Sequence, residues 1–213
     1  MEVRVSPTRM QLLRLKKRLA MATRGHKLLK DKLDELLRHF LELIRRNKEL
    51  REEVDRALGE AFSAFLVARG AMSEASVEGA LMYPKESISI TASKKNIMNV
   101  QVPHFQWSFR GQEDRTDIYP YGFAYTSAEL DGAIRLLSES LPSLVELAEV
   151  EKSVELLALE IEKTRRRVNA LEYVLIPKLR ESAKYITMKL DEAERGNLTR
   201  LMKVKDIVRA RGV

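Results

Sequence analysis

The chain has no cysteine, which removes disulfides, thiol nucleophiles and zinc-thiolate sites together. Glycine and proline are scarce, 9 and 6 in 213 residues, and aromatics make up 6%. So few turn formers and large rings argue against a compact sheet domain and for long helices. No apolar run approaches the ~20 residues that cross a bilayer. The opening stretch MEVRVSPTRM lacks the apolar core of a secretory signal, so the chain is expected on the cytoplasmic side. Gly25 precedes His26 and Lys27 without the upstream glycine or strand of a phosphate loop. His26, His39 and His104 are not at metal-ligand spacing with carboxylates. With no activated nucleophile, metal set or phosphate cradle, no catalytic residue and no cofactor are expected.

What the chain does have is charge, 32% of its residues, with a net +7 that is unevenly spread. From the N-terminus to Lys30, Arg4, Arg9, Arg14, Lys16, Lys17, Arg18, Arg24, Lys27 and Lys30 face only Glu2. Near the other end Arg195, Arg200, Lys203, Lys205, Arg209 and Arg211 outweigh Asp206, while 129–162 leans acidic.

The second asset is a repeat of seven. From Thr8 to Arg69, steps of three and four run Leu12, Leu15, Leu19, Ala22, His26, Leu29, Leu33, Leu36, Phe40, Leu43, Asn47, Leu50, Val54, Ala57, Ala61, Ala64 without a miss. Such a seam keeps one edge of a supercoiled helix against a partner helix. At 1.5 Å per residue it predicts a rod of roughly 90 Å. Polar His26 and Asn47 are read as seam residues that fix register or tolerate a local gap, rather than as ligands. Past Leu36 the stripe widens through Leu37, Ile44, Leu58 and Phe65, which implies a further neighbour. Ser6 or Thr8 is available to cap the start, and Gly70 ends the pattern.

Between Gly70 and Tyr125 the alternation of Ser87–Thr91 and of Asn96–Val102 predicts a short β-hairpin turning across Ser93–Lys95. Pro103 to Tyr125, with Phe105, Trp107, Phe109, Tyr119, Tyr121, Phe123 and Tyr125 among prolines and glycines, reads as a small irregular head. A second long helix, capped at Thr126 or Ser127, follows, with a seam through Val150, Val154, Leu157, Ile161, Thr164, Val168, Leu171, Leu175, Leu179, Ala183, Ile186, Leu190 and Ala193. Leu171, Leu175, Leu179 and Ala183 step by fours, a stutter that loosens the supercoil, beside Pro177, which removes a helix hydrogen bond and is expected to kink or bend the rod. Pro142 could mark a break near the start of this helix.

The expected fold is mainly α: a long antiparallel two-helix left-handed coiled coil of the N- and C-terminal helices, with a small central head containing a hairpin. The segments are 1–69, 70–125 and 126–213, one structural unit. The two basic ends then lie together. That calls for an acidic or anionic partner, or else leaves a solvated basic face. A nucleic-acid-binding coiled coil and a membrane-surface scaffold both remain alternatives.

Two stretches, SPTRMQLLRLKKRLAMATRGHKLLKDK and RRRVNALEYVLIPKLRESAKYITMKLDEAER, resemble the signature helices of the D subunit of V-type and archaeal-type rotary ATPases. The likeness runs without a gap through Thr23, Arg24, Gly25, His26, Lys27, Leu28, Leu29, Lys30 and Asp31. It resumes in Arg167, Val168, Asn169, Ala170, Leu171 and Glu172, followed by Ile176 and Pro177. The resemblance implies a non-catalytic central-stalk rotor subunit that couples ATP synthesis or hydrolysis to ion translocation, with a hairpin projecting from the shaft. Its implied partners are the A and B subunits of the ring, the small F subunit of the stalk and the socket subunit above the membrane rotor. The chain would then be peripheral, on the cytoplasmic face of the membrane-bound complex. Within that frame Arg9, Arg14, Lys16, Lys17, Arg18, Arg24, Arg200, Lys203, Lys205, Arg209 and Arg211 are the expected ring-facing set. Leu12, Leu15, Leu19, Leu29, Leu33, Leu36, Phe40, Leu43, Leu50, Val168, Leu171, Leu175, Leu179, Ile186 and Leu190 are the expected torque-carrying seam. The stripe from Leu37 to Phe65, with 145–161, is the expected seat of the F subunit.

Overall fold

The structure, a computed structural model, describes residues 6–85, 87–110, 118–122 and 126–210. Arg211, Phe123 and Tyr125 lie outside them. In chain order the elements are α1 (Arg9–Ala71), α2 (Glu74–Leu81), β1 (Ser87–Ile97), β2 (Val100–Arg110), α3 (Ala128–Asn169), a π-helical turn (Ala170–Leu175) and α4 (Ile176–Ala210). They fold as two compact units, one of Met1–Glu35 with Glu162–Val213 and one of Leu36–Ile161.

In the first unit the heptad pattern is realised as an antiparallel pair. Arg9 is ion-paired with Glu194, and His26 Nε2 lies 3.3 Å from Glu172 Oε2, so residue numbers rise on one helix as they fall on the other. Thr8 caps α1, its Oγ1 accepting from the Gln11 amide at 3.3 Å. Leu15, Thr164, Val168 and Ile186 are buried. Leu12, Leu19, Ala22, His26, Leu29, Leu33, Leu171, Leu179 and Leu190 are half-buried between them. Fully burying a leucine is worth roughly 1.5–3 kcal/mol, so this seam supplies the unit's cohesion.

Leu175 departs from expectation: it is 42% exposed and outside the seam. The stutter is absorbed by the π turn, where the Ile176 amide donates to the carbonyl of Leu171, five residues back. Pro177 supplies the physical reason. It has no N–H to give to Tyr173, and its ring would collide with that carbonyl in a regular helix. The wider turn clears the collision but rotates Leu175 outward. The seam resumes at Leu179 and ends at Leu190. Ala193, expected on it, is exposed with everything else from 191 to 210, because α1 begins at Arg9, opposite Glu194.

In the second unit α1 again runs antiparallel to α3. Leu36, Val100, Val102 and Leu157 form one buried cluster, flanked by Phe40, Leu43, Ile97, Leu156 and Ile161. Ala68, Ala80 and Leu130 form another, flanked by Phe65, Met72, Tyr121 and Ile134. Leu50, Val54, Ala61, Val145 and Val150 are buried as well. The hydroxyls of buried Ser140 and Ser153 donate at 2.8 Å to the carbonyls of Leu137 and Glu149, so neither is left unpaired. Pro142 lies inside α3 without ending it, and no break occurs there. Neither expected side-chain cap of α3 is made: the Thr126 hydroxyl donates to Gly122, and Ser127 Oγ is buried without a partner among the described residues.

The hairpin is longer than its sequence signal and turns later. β1 and β2 pair antiparallel from Ser87↔Arg110 to Ile97↔Val100, and the turn is Met98–Asn99, with φ of 50° and 71°. Positive φ at both central residues is the type I′ arrangement whose twist matches a hairpin. Ser93–Lys95, expected in the turn, lies within β1, and Phe105, Trp107 and Phe109, expected in an irregular head, lie on β2. Pro103 is tolerated because each strand of a two-stranded ribbon has an unpaired edge. The turn end does not project: Ile97, Val100 and Val102 pack on the α1–α3 pair. The short helix α2 was not anticipated, although Ser73 caps it by accepting from the Ser76 amide at 3.3 Å.

Candidate functional site

In the first unit the surface follows from the seam. Once positions a and d of each heptad face the partner helix, c and f point away. On α1 the outward stripe is Met10, Arg14, Lys17, Met21, Arg24, Leu28, in steps of three and four, and every member is exposed. Met21 is 73% exposed. On α4 Met188 points away from the pair, and Arg195, Met202 and Arg209 follow it at sevens in the stretch where every residue is exposed. Flexible apolar chains are thus interspersed with cations along both helices, and the cations bring long aliphatic stems of their own.

All described members of the expected basic set, Arg9, Arg14, Lys16, Lys17, Arg18, Arg24, Arg200, Lys203, Lys205 and Arg209, are exposed. Apart from Arg9, none has an ion pair among the described residues. The Arg9–Glu194 pair brings the start of α1 beside the stretch of α4 that leads into Arg200, so both basic segments belong to one unit. Within α4, Lys189 is held at 2.9 Å from Glu192. That hydrogen bond, with the attraction of opposite charges, raises the lysine pKa and lowers the glutamate's.

The methionines and Leu28 were missing from the expected surface. The heptad register carried the signal for them, because apolar residues at c and f cannot reach the seam. The terminal part of α4 adds exposed Leu198, Leu201, Val204, Ile207 and Val208.

The second unit presents a different face. Leu37, Leu41, Ile44, Phe62 and Leu66 of α1 are exposed, as is Leu159 of α3. Leu58 and Phe65, expected on the same stripe, are half-buried, and Val145, Val150 and Leu157 are core residues. Arg46 Nη2 lies 2.8 Å from Glu146 Oε1, and Arg51 lies 3.6 Å from Glu151, two exposed ties between the helices. The hydrogen bond to Glu146, with its charge, raises the Arg46 pKa. An open groove of about 350 Å³ beside Pro84, Ile134, Leu137 and Leu141 is lined almost wholly by apolar side chains. Among the described residues that line it, only Lys85 and Ser138 are polar, whereas a small-substrate site takes several convergent polar groups. Among the described residues no cluster of three His, Cys, Asp or Glu could hold a metal ion. No described helix is long and apolar enough to cross a membrane.

Comparison with known proteins agrees with the likeness of the two long helices and extends it over the hairpin. Residues 11–206 match the family of the ATP synthase D subunit. The V-type ATP synthase D subunit of Acetivibrio thermocellus is 64% identical over 206 residues, covering 97% of this chain and 92% of the relative. That of Clostridium novyi is 58% identical over 204 residues, covering 96% and 94%. That of Clostridium botulinum is 57% identical over 208 residues, covering 98% and 96%.

Proposed function

Because the chain belongs to the ATP synthase D-subunit family, we propose that it is the non-catalytic central-stalk rotor subunit of a V/A-type ATP synthase or ATPase. It couples ATP synthesis or hydrolysis in the ring of A and B subunits to ion translocation across the membrane. One observation supports this reading: within each unit α1 pairs antiparallel with the C-terminal half of the chain through an apolar seam, and the outside of the pair in the first unit carries exposed methionines and cations. A shaft must resist twisting between its two helices, which the interlocked a and d side chains accomplish. It must also slide against its bearing without locking. Exposed methionines among the cations suit that task, since a methionine side chain re-packs over many rotamers and offers no rigid anchor.

The ring-facing surface is the basic set of the first unit together with Met10, Met21, Leu28, Met188 and Met202. An asymmetric pair of helices presents a different face to each catalytic interface, so each interface is held in a different conformation. Turning the shaft exchanges them. The coupling is the difference in contact free energy between orientations, and it is reciprocal: the ring's occupancy biases the shaft as the shaft biases the ring. In the second unit Leu37, Leu41 and Ile44 with Leu159 form the seat of the small F subunit. The apolar groove beside Pro84 belongs to the end received by the socket subunit. The chain is held at the cytoplasmic face of the membrane through the complex.

The test is rotation. With the A–B ring fixed to a surface and a bead attached through Tyr83→Cys, ATP should drive the bead in one direction in steps tied to turnover. ATP hydrolysis beneath a stationary bead, with this chain demonstrably bound, would remove the rotor function. Arg14→Glu, Lys17→Glu and Arg24→Glu together should weaken assembly with the ring and leave helicity unchanged.

A further inference from the structure

The hairpin is attached to the second unit at two places of different chemistry. Near its turn, Val100 and Val102 are buried in the cluster around Leu36 and Leu157. Farther along β2 the attachment is polar and comes from one residue of α3. The carboxylate of Glu149 lies 3.0 and 3.2 Å from His104 Nδ1 and accepts the backbone N–H of Phe105 at 2.7 Å. That amide lies on the outer edge of a two-stranded ribbon, where it would otherwise have only water. Beyond Glu149, Ile90 and Trp107, cross-strand partners, are exposed.

We propose that Glu149 is a latch: a positioning residue that fixes β2 against α3 and thereby sets where the hairpin stands, separately from the pairing of the long helices. A hydrogen bond from a backbone amide to a charged carboxylate is among the stronger kinds, and this one is reinforced by the imidazole. Its loss leaves the apolar anchor at the turn in place and lets the middle of β2 lift. The helix itself has no need of the carboxylate, since alanine is the better helix former at that position.

The test uses the chain alone, so its result does not depend on the rotor proposal. Trp107 is the chain's one tryptophan, which makes its fluorescence anisotropy a report on the hairpin only. In Glu149→Ala, amide exchange in the peptide 100–109 should speed up roughly tenfold to a hundredfold, the range for losing a charge-assisted bond. The Trp107 anisotropy should fall, and exchange in 150–168 should stay as it was. Glu149→Gln, which keeps an acceptor for the Phe105 amide, should recover part of the protection, and His104→Ala should give a smaller effect than Glu149→Ala. Unchanged exchange and anisotropy in Glu149→Ala, or an equal rise in exchange along α3, would overturn the latch. A readout in the assembled ATPase then separates positioning from mere stability: kcat for ATP should change with KM for ATP constant, and Glu149→Gln should restore it in part.

Discussion

Leu157 and Leu159 sit two residues apart on α3, at positions d and f of the same heptad, so a pair of identical truncations compares an inward position with an outward one. Leu157 is 0% exposed, packed in the cluster with Leu36, Val100 and Val102, whereas Leu159 is 56% exposed. Leu157→Ala removes buried methyl groups and leaves a cavity that the helix pair cannot close, a loss of about 3–5 kcal/mol. For a chain of this size that lowers Tm by roughly 6–20 °C. Leu159→Ala removes a surface side chain and substitutes a better helix former, so its effect should stay within about 0.5 kcal/mol. Thermal melts followed by circular dichroism at 222 nm read both. Leu157 also holds Val100 and Val102, so Leu157→Ala should increase amide exchange at the hairpin turn while Leu159→Ala does not. Equal shifts from the two variants, or a larger one from Leu159→Ala, would mean that the heptad does not mark the interior of the pair.

Two smaller changes test other parts of the second unit. Tyr121 donates to Asp131 Oδ1 at 2.7 Å, and burial together with this bond pushes its phenol pKa up. A folded pKa above the unfolded one gives stability that is complete below about pH 10 and is lost as pH rises through the folded value. Urea melts of Tyr121→Phe against wild type should therefore differ below pH 10 and converge above it; a constant difference would exclude the linkage. In the hairpin turn, Met98→Asn with Asn99→Gly puts the favoured type I′ pair where φ is positive and should relieve up to about 1 kcal/mol of backbone cost. Slower amide exchange across Asn96–Gln101 would register the gain, and faster exchange would contradict the turn assignment.

The seam was legible from Leu12 to Leu190 because a seven-residue repeat states which edge is buried, whatever the partner. Leu175 was not, because the same fours that announced a stutter can be absorbed by loosened supercoiling or by a π turn. Only the clash at Pro177 favours the second. The hairpin's existence was visible in Ser87–Thr91, but its turn was hidden: Met98 is no turn former, Lys94 and Lys95 are polar enough to look like one, and Pro103 resembled a strand breaker. Helix α2 was masked by its eight-residue length, although Ser73 followed by Glu74 is a start signal. The exposed cations of α1 and α4 were visible as charge. The exposed methionines beside them required the heptad register to be applied to Met10, Met21 and Met188, where a methionine reads as core until its position is assigned.

The antiparallel pairing of the two terminal helices is tested most directly by distances. Having no cysteine, the chain takes spin labels only where they are placed. Labels at Arg9→Cys with Glu194→Cys, and at His26→Cys with Glu172→Cys, should each give a short separation by double electron–electron resonance. Arg9→Cys with Glu172→Cys should be longer by roughly 30 Å, the rise of the helix between the two glutamates. A distance from Arg9 to Glu172 equal to or shorter than that from Arg9 to Glu194 would contradict the pairing.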